Sequence, residues 1–385
     1  MRVILATAAC ALTMLALVCL QANLATAQTA KEPYVIGAVL DITGPGSPLG
    51  TPERDTLQML EKQINAKGGI NGHPLKVIIY DNASDEAKSV TAVKKLIEDD
   101  NVLAIIGPSQ TGTTLAAADT VQAAKVPMIS CAAGIKIVEP VKPWIFKTAQ
   151  SDMQAVAKVI DYCKAHRLNK IAIISVSNAF GDSGRQLLEE RAPAAKIQIV
   201  AKETFGQNDT DMTAQILRLR GKRPDAVICW GTNPGPAIVA KNMQKLGMKT
   251  PLIMSHGVAN RKFLELAGDS AEGVILPAGK LVVAGSIANN DPQKKVLQQY
   301  AADFKKEYGR EADTFGGFAY DALHLIVRAL EKVGPNRAKI REELENMKFT
   351  GISGAFRFTQ ADHNGLAKDS FVMVQIRKGN WVLAK

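Results

Sequence analysis

A short apolar run followed by a longer segment of helical period, repeated many times, is the pattern that most constrains this chain. Tyr34–Leu40, Leu75–Tyr80, Val102–Ile106 and Pro127–Ser130 read as buried strands, each a brief unbroken apolar run bounded by turn residues. Between them, a helix is expected from Pro52, with Leu57, Leu60 and Ile64 on one face and Gly68-Gly69 stopping it. A second helix is expected after Ser84 as its cap, with Val90, Val93, Leu96 and Ile97 as apolar face, and a third over Leu115–Ala124. This alternation predicts an α/β fold, a parallel sheet with helices on both faces.

The pattern then starts again after Trp144–Lys147. Helices are expected at Met153–Ala165, from the 178–182 loop to Arg191, at Thr210–Arg220 and at Pro236–Lys245. Strands are expected at Ile171–Ser175, Ile197–Ala201, Ala226–Cys229 and Leu252–Met254, with Ala271–Leu276 leading into another. The repeat argues for two similar doubly wound, Rossmann-like lobes, and the length exceeds one ordinary domain. Helices near Pro292–Tyr308, Gly317–Lys332 and Arg337–Met347 follow without strands between them and should cover one of the sheets. Short strands at Ala355–Phe358 and Phe371–Arg377 complete the pattern.

In doubly wound sheets the ligand crevice lies at the carboxyl ends of the strands. The loops at 41–50, 108–114 and 131–135 should therefore gather at one edge, and their small side chains let backbone approach a ligand. The first, Gly44-Pro45-Gly46-Ser47-Pro48-Leu49-Gly50, superficially looks like a dinucleotide glycine fingerprint, but its spacing is wrong and two prolines interrupt it. The second, Gly107-Pro108-Ser109-Gln110-Thr111-Gly112-Thr113-Thr114, carries a strand into a helix through small hydroxyl residues. Unpaired N–H groups and the positive end of the helix dipole suit a carboxylate or phosphate there. Taken alone, the stretch equally fits an ordinary strand–helix connection with Thr111 or Thr113 as N-cap.

Residues 1–27 stand apart. Arg2 is followed by an uncharged apolar run to Leu20, and Ala25-Thr26-Ala27 gives a small-x-small site before Gln28, the pattern of an export signal cleaved near Ala27. The run approaches membrane-spanning length, but the small polar residues after it favour cleavage over anchoring. Val18 before Cys19 disfavours a lipoprotein. Cleavage removes one charge, Arg2, from a formal +10 and leaves +9. The remaining basic residues are interleaved with acids and no basic run contains aromatics, which argues against nucleic acid. Cys131, Cys163 and Cys229 remain, an odd number without C-x-x-C, so free buried thiols are expected despite an oxidising destination.

With these elements in order, the chain resembles the periplasmic leucine/isoleucine/valine-binding family of solute receptors that serve ABC importers. The resemblance is carried by Asn65-Ala66-Lys67-Gly68-Gly69-Ile70-Asn71-Gly72, Tyr80-Asp81, Ile106-Gly107, Val126–Ser130, Phe180-Gly181-Asp182 and Ala271-Glu272-Gly273. It implies two lobes joined by three crossovers near Lys147, Gly279–Leu281 and Phe358–Gln360. That places residues 28–147 and 281–357 in one lobe, and 148–280 and 358–385 in the other. It implies a monomeric periplasmic carrier without cofactor or metal, a small ligand between closing lobes, and a membrane permease as partner.

Matched motif by motif, the resemblance implies that Thr111, with Ser109 and Gly112 beside it, binds a ligand carboxylate. Ala132, Ala133 and Gly134 fall on a second small loop whose backbone groups meet the ligand. Gly134 stands where amino-acid receptors often carry a threonine. Phe180 falls on an aromatic that packs the ligand, Thr232 on another usual aromatic, and Leu49 on a third, leaving a wider apolar wall. His256 is the most informative departure, because amino-acid-binding members typically place an acid there, facing the ligand ammonium. A buried ammonium without an anionic partner is costly. The expected ligand is therefore a carboxylate without an ammonium, an aromatic or short hydrophobic acid, with His256 donating to a phenolic, keto or second carboxyl oxygen; a histidine of an ordinary loop is the competing account, and a branched-chain or other hydrophobic amino acid is the alternative ligand.

Other classes find less support in the sequence. The five histidines form no H-x-x-x-H or Cys/His cluster, and neither G-x-S-x-G nor a P-loop occurs. Cys131 with His256 opposite would be the only candidate nucleophile pair, and a packed thiol is the simpler account. A sensor domain on the same fold is the remaining rival, but nothing after the last strand offers a transmembrane helix or an output domain.

Overall fold

The computed structural model describes residues 31–384; the export signal read at 1–27 lies outside them. The first lobe begins with β1 (Tyr34–Leu40), α1 (Ser47–Ala66), β2 (Leu75–Asp81), α2 (Glu86–Glu98), β3 (Ile105–Ile106), α3 (Thr111–Ala124), β4 (Met128–Ser130) and β5 (Ile145–Lys147). Its strands form a parallel sheet in the order β2-β1-β3-β4-β5. The second run comprises α4 (Asp152–Ala165), β6 (Lys170–Val176), α5 (Ala179–Ala194), β7 (Gln198–Phe205), α6 (Thr213–Gly221), β8 (Ala226–Trp230), α7 (Gly235–Lys245), β9 (Leu252–Met254), α8 (Arg261–Ala267) and β10 (Ile275–Gly279). Its sheet runs β7-β6-β8-β9-β10, the same winding, extended by antiparallel strands β13 (Phe371–Arg377) and β14 (Asn380–Leu383). The repeated pattern in the sequence is thus one topology used twice.

Helices α9 (Lys294–Tyr308), α10 (Thr314–Val333) and α11 (Arg337–Leu344) return to the first sheet, followed by the hairpin β11 (Lys348–Thr350) and β12 (Ala355–Arg357). Phe318, Ala322, Leu325, Ile326 and Leu330 of α10 pack in one core with Ile36, Ala38 and Leu40 of β1 and Leu57 of α1. Each fully buried Leu, Ile or Phe contributes about 1.5–3 kcal/mol relative to exposure, so the late helices are integral to the early sheet. On the opposite face, Gly37 lets α2 approach: a Cβ there would stand 2.6 Å from Leu96 Cδ1.

Several boundaries differ from those expected. Helix α1 begins at Ser47 rather than Pro52, because Pro48 sits in the first turn, where a missing N–H costs nothing. The cap of α2 is Asp85, which accepts from Lys88 N at 2.8 Å; Ser84 instead accepts from Gly46 N at 2.8 Å and braces the neighbouring loop. Helix α3 begins at Thr111 rather than Leu115, with neither Thr111 nor Thr113 as its N-cap; that position is Gln110, whose side chain makes no capping bond. Strand β3 is reduced to two residues, ended by Gly107 at φ +89°, where a Cβ would overlap the Val39 carbonyl oxygen. Helix α8 and strands β5, β11 and β14 are not signalled by the sequence pattern. The β13–β14 turn uses Lys378 and Gly379, both at positive φ, and lysine is not a usual signal for such a turn.

Three segments connect the two sheets, after β5, after β10 and after β12, and one turn gathers them. Gln150 Nε2 of the first donates to Ser353 O at 2.8 Å, and Gln293 Nε2 of the second donates to Gly351 O and Ile352 O, each at 3.0 Å. Asp321 of α10 accepts from Ile352 N and Ser353 N, each at 2.7 Å, and so fixes that turn. Lys147 Nζ, fully buried, bonds Ala149 O at 2.6 Å and Asn364 Oδ1 of the third segment at 2.9 Å.

Candidate functional site

The carboxyl ends of both sheets face one cavity between the lobes, with about 660 Å³ of space not filled by atoms, part of it open to solvent. Leu49, Ser109, Thr111, Gly112 and Ala133 line it from the first lobe, and Phe180, Thr232 and His256 from the second. Eight of the ten residues singled out in the sequence thus meet around one space. Ala132 and Gly134 do not line it: Ala132 N donates to Ser130 Oγ at 3.1 Å and Gly134 N to Thr111 Oγ1 at 3.2 Å. Their N–H groups are used within the chain.

Two helix N-termini point into this cavity and differ in their capping. At α5, Asn178 Oδ1 accepts from Phe180 N at 3.1 Å and Gly181 N at 3.0 Å, so that end is occupied by the chain's own acceptor. At α3 no side chain caps the first turn, which leaves N–H donors and the positive dipole end for an anion. Thr111, 3% exposed, accepts from Gly134 and keeps its hydroxyl proton free to donate. Ser109 is engaged differently: its Oγ donates to Glu53 and accepts from Asp41 N at 3.1 Å.

Behind that turn lie two buried carboxylates. Burial holds Glu53 well above the usual carboxylate range, and the charges of Asp41 and Asp313 add to it. Burial raises Asp41 to about 6, against hydrogen bonds led by that from Asn82 Nδ2 at 2.8 Å. The upward shift of Glu53 favours its neutral form, which lessens the repulsion of an anion at the α3 end.

His256 forms the opposite wall. It is 4% exposed, and neither ring nitrogen has a hydrogen-bond partner. Phe371, Phe180 and Trp230 surround it with ring centroids 5.2, 5.5 and 6.0 Å away. Burial pushes its pKa down to about 3, and the charge of Lys147 adds to this. The imidazole is therefore neutral at pH 7, with one donor and one acceptor. Leaving such buried groups unpaired costs about 1–3 kcal/mol each, and a ligand oxygen would supply the partner.

Sequence reasoning missed Glu86, Gln110, Gln207, Phe315 and Phe318, all on the cavity wall. Phe315 and Phe318 lie at an i, i+3 spacing that also describes a core helix, and Glu86 reads as an ordinary first-turn acid. Cys131 also lines the cavity, yet is 2% exposed, and burial pushes its thiol well up. No base activates it, and the thiols of Cys131, Cys163 and Cys229 are free and buried. Thiol titration of the native protein should show no reactive group, with all three reacting after denaturation; a fast native reaction at Cys131 would contradict this.

Among the described residues no cluster of His, Cys, Asp or Glu is arranged to hold a metal, and no helix is long and apolar enough to cross a membrane. The family model described as periplasmic binding protein matches residues 33–380. The chain belongs to the periplasmic binding protein family. Among its relatives is a Leu/Ile/Val-binding protein of Rhizobium johnstonii, 25% identical over 82% of this chain and 83% of that one. An extracellular ligand-binding receptor of Rhodopseudomonas palustris HaA2 superposes with a TM-score of 0.87 at 26% identity, over 92% of this chain and all of that one. A solute-binding protein of an ABC transporter from Rhodopseudomonas palustris BisB5, solved with 3,4-dihydroxybenzoic acid, gives 0.78 at 22% identity over 91% of this chain and 95% of that one. Proteins of this family are extracytoplasmic substrate-binding proteins of transporters, not enzymes.

Proposed function

We propose that this periplasmic binding protein captures a small monocarboxylate with an apolar, preferably aromatic, body and delivers it to an ABC permease. The observation that carries this reading is His256, a neutral buried imidazole with two unpartnered nitrogens facing an uncapped helix end across the cavity. The ligand carboxylate takes the first-turn N–H groups of α3 and the Thr111 hydroxyl. Leu49, Phe180, Phe315 and Phe318 pack its body, and His256 bonds a phenolic or keto oxygen at the far end. Residues 28–147 with 281–357, and 148–280 with 358–385, close as two lobes, because only the closed form lets one ligand touch both walls.

The 3,4-dihydroxybenzoic acid held by the BisB5 protein illustrates that this fold accommodates such a ligand. Branched-chain amino acids are the second reading, favoured by the Rhizobium relative's name and by the Glu86 carboxylate on the wall. A thermal-shift screen of residues 28–385 separates the two. Hydroxybenzoates and aliphatic acids should raise the melting temperature, since only the folded state binds them. Stabilisation by leucine alone would overturn the monocarboxylate reading. His256→Glu should weaken acid binding about tenfold by setting a carboxylate against the ligand's distal oxygen, as calorimetry would measure.

A further inference from the structure

We propose that Glu86 restricts the cavity to ligands carrying a single negative charge; this rests on the monocarboxylate reading above. Among the residues lining the cavity, Glu86 is the one carboxylate, and no Lys or Arg lines it to balance that charge. Its position is specific. Glu86 Oε1 lies so close to Gly112, the second residue of α3, that a Cβ on Gly112 would overlap it. On the other side, that same Cβ would stand 3.9 Å from Ala179 Cβ at the start of α5. The carboxylate thus stands where the lobes meet, at the cavity mouth and beside the uncapped α3 end.

Two consequences follow from Coulomb's law. One ligand carboxylate gains the α3 N–H groups and the Thr111 hydroxyl, which offset its repulsion from Glu86. A second carboxylate on the same ligand finds no further donor of positive charge and meets His256, whose burial among Phe180, Trp230 and Phe371 opposes protonation. Dianions are therefore refused, and Glu86 sets the sign of that refusal. Because Glu86 is exposed, its field is screened, so discrimination should weaken as salt rises.

Glycine at 112 is part of the same arrangement. Any larger residue there would push the Glu86 carboxylate outward, away from the helix end beside it. Neither residue could be found as a pair from the sequence, since they lie on different helices and become neighbours only through the packing of α2 against α3.

The test uses two molecules of nearly equal shape, 4-carbamoylbenzoate with one charge and terephthalate with two. Calorimetry on residues 28–385 should give at least about tenfold tighter binding of the carbamoyl acid, narrowing at high salt. Glu86→Gln should reduce that ratio about tenfold, and Glu86→Asp should retain most of it. An equal ratio in wild type and Glu86→Gln, or no discrimination in wild type, overturns the proposal. Leucine binding to wild type that is lost in Glu86→Gln also overturns it, making Glu86 an ammonium partner instead. If benzoate, hydroxybenzoates and 4-carbamoylbenzoate bind neither protein, the monocarboxylate reading itself falls, a result distinct from an unchanged ratio.

Discussion

Replacing Gly134 with threonine is expected to lower ligand affinity by about ten- to a hundredfold, even though threonine is common at this place in amino-acid receptors. The backbone there is ordinary, φ −57° and ψ 127°, so conformation does not demand glycine. Space does. A Cβ on Gly134 would overlap Thr111 Cγ2 and stand 2.9 Å from Thr111 Oγ1. Thr111 is held in the first turn of α3 and accepts the Gly134 N–H, so forcing the two apart disturbs both the hydroxyl and the helix end. Overpacking of this kind costs about 1–3 kcal/mol in structure alone, and each 1.4 kcal/mol lost from binding is tenfold. Thr111→Ser removes the obstructing methyl, so the double variant Thr111→Ser/Gly134→Thr should recover part of the affinity. Calorimetry of the three proteins with the best acid from the thermal-shift screen, with circular dichroism to check folding, measures this. Wild-type affinity in Gly134→Thr alone would sink the explanation.

The second large effect belongs to Asp321. Asp321→Ala should destabilise the protein by about 3–5 kcal/mol, because two buried N–H groups lose a charge-capable acceptor. The loss would spread beyond one contact, since the same 351–353 turn receives Gln150 and Gln293 from two of the crossovers. Urea unfolding at constant pH would show it as a fall in midpoint.

Asp321→Asn tests the electrostatic side. Burial raises Asp321 to about 7 in the folded state, against hydrogen bonds from Ser353 and Ile352. The unfolded chain releases that proton near pH 4, so the native state holds more protons between about pH 4 and 7. Asp321 therefore contributes stability that is fully present below about pH 4 and is lost as pH rises towards 7. Wild type should lose stability relative to Asp321→Asn across this window and run parallel to it above. A pH-independent difference would mean that Asp321 titrates normally.

The alternation of strands and helices was legible because unbroken apolar runs such as Tyr34–Leu40 and Ile171–Ser175 have few other structural uses. The gathering of Leu49, Ser109, Thr111, Ala133, Phe180, Thr232 and His256 was legible through the family resemblance, which supplied positions that spacing alone does not. The family assignment rests on the match over residues 33–380, whereas the roles given to these side chains remain proposals. What escaped was set by three-dimensional neighbours. Gly134 looked like a missing hydroxyl, and only the placement of the Thr111 methyl explains why no side chain fits there. Phe315 and Phe318 reach the cavity from a helix more than a hundred residues beyond Phe180. Glu86 matters only because α2 lies beside α3.

The return of α10 to the first sheet has a bearing on biogenesis. The core around β1, the first strand formed during translation, stays open until residues 314–333 arrive to fill it. Synthesis of the second lobe intervenes, so the first lobe has no complete nucleus to collapse upon while the chain is still emerging. For an extracytoplasmic protein such late closure would delay folding of the first lobe until most of the chain has been made.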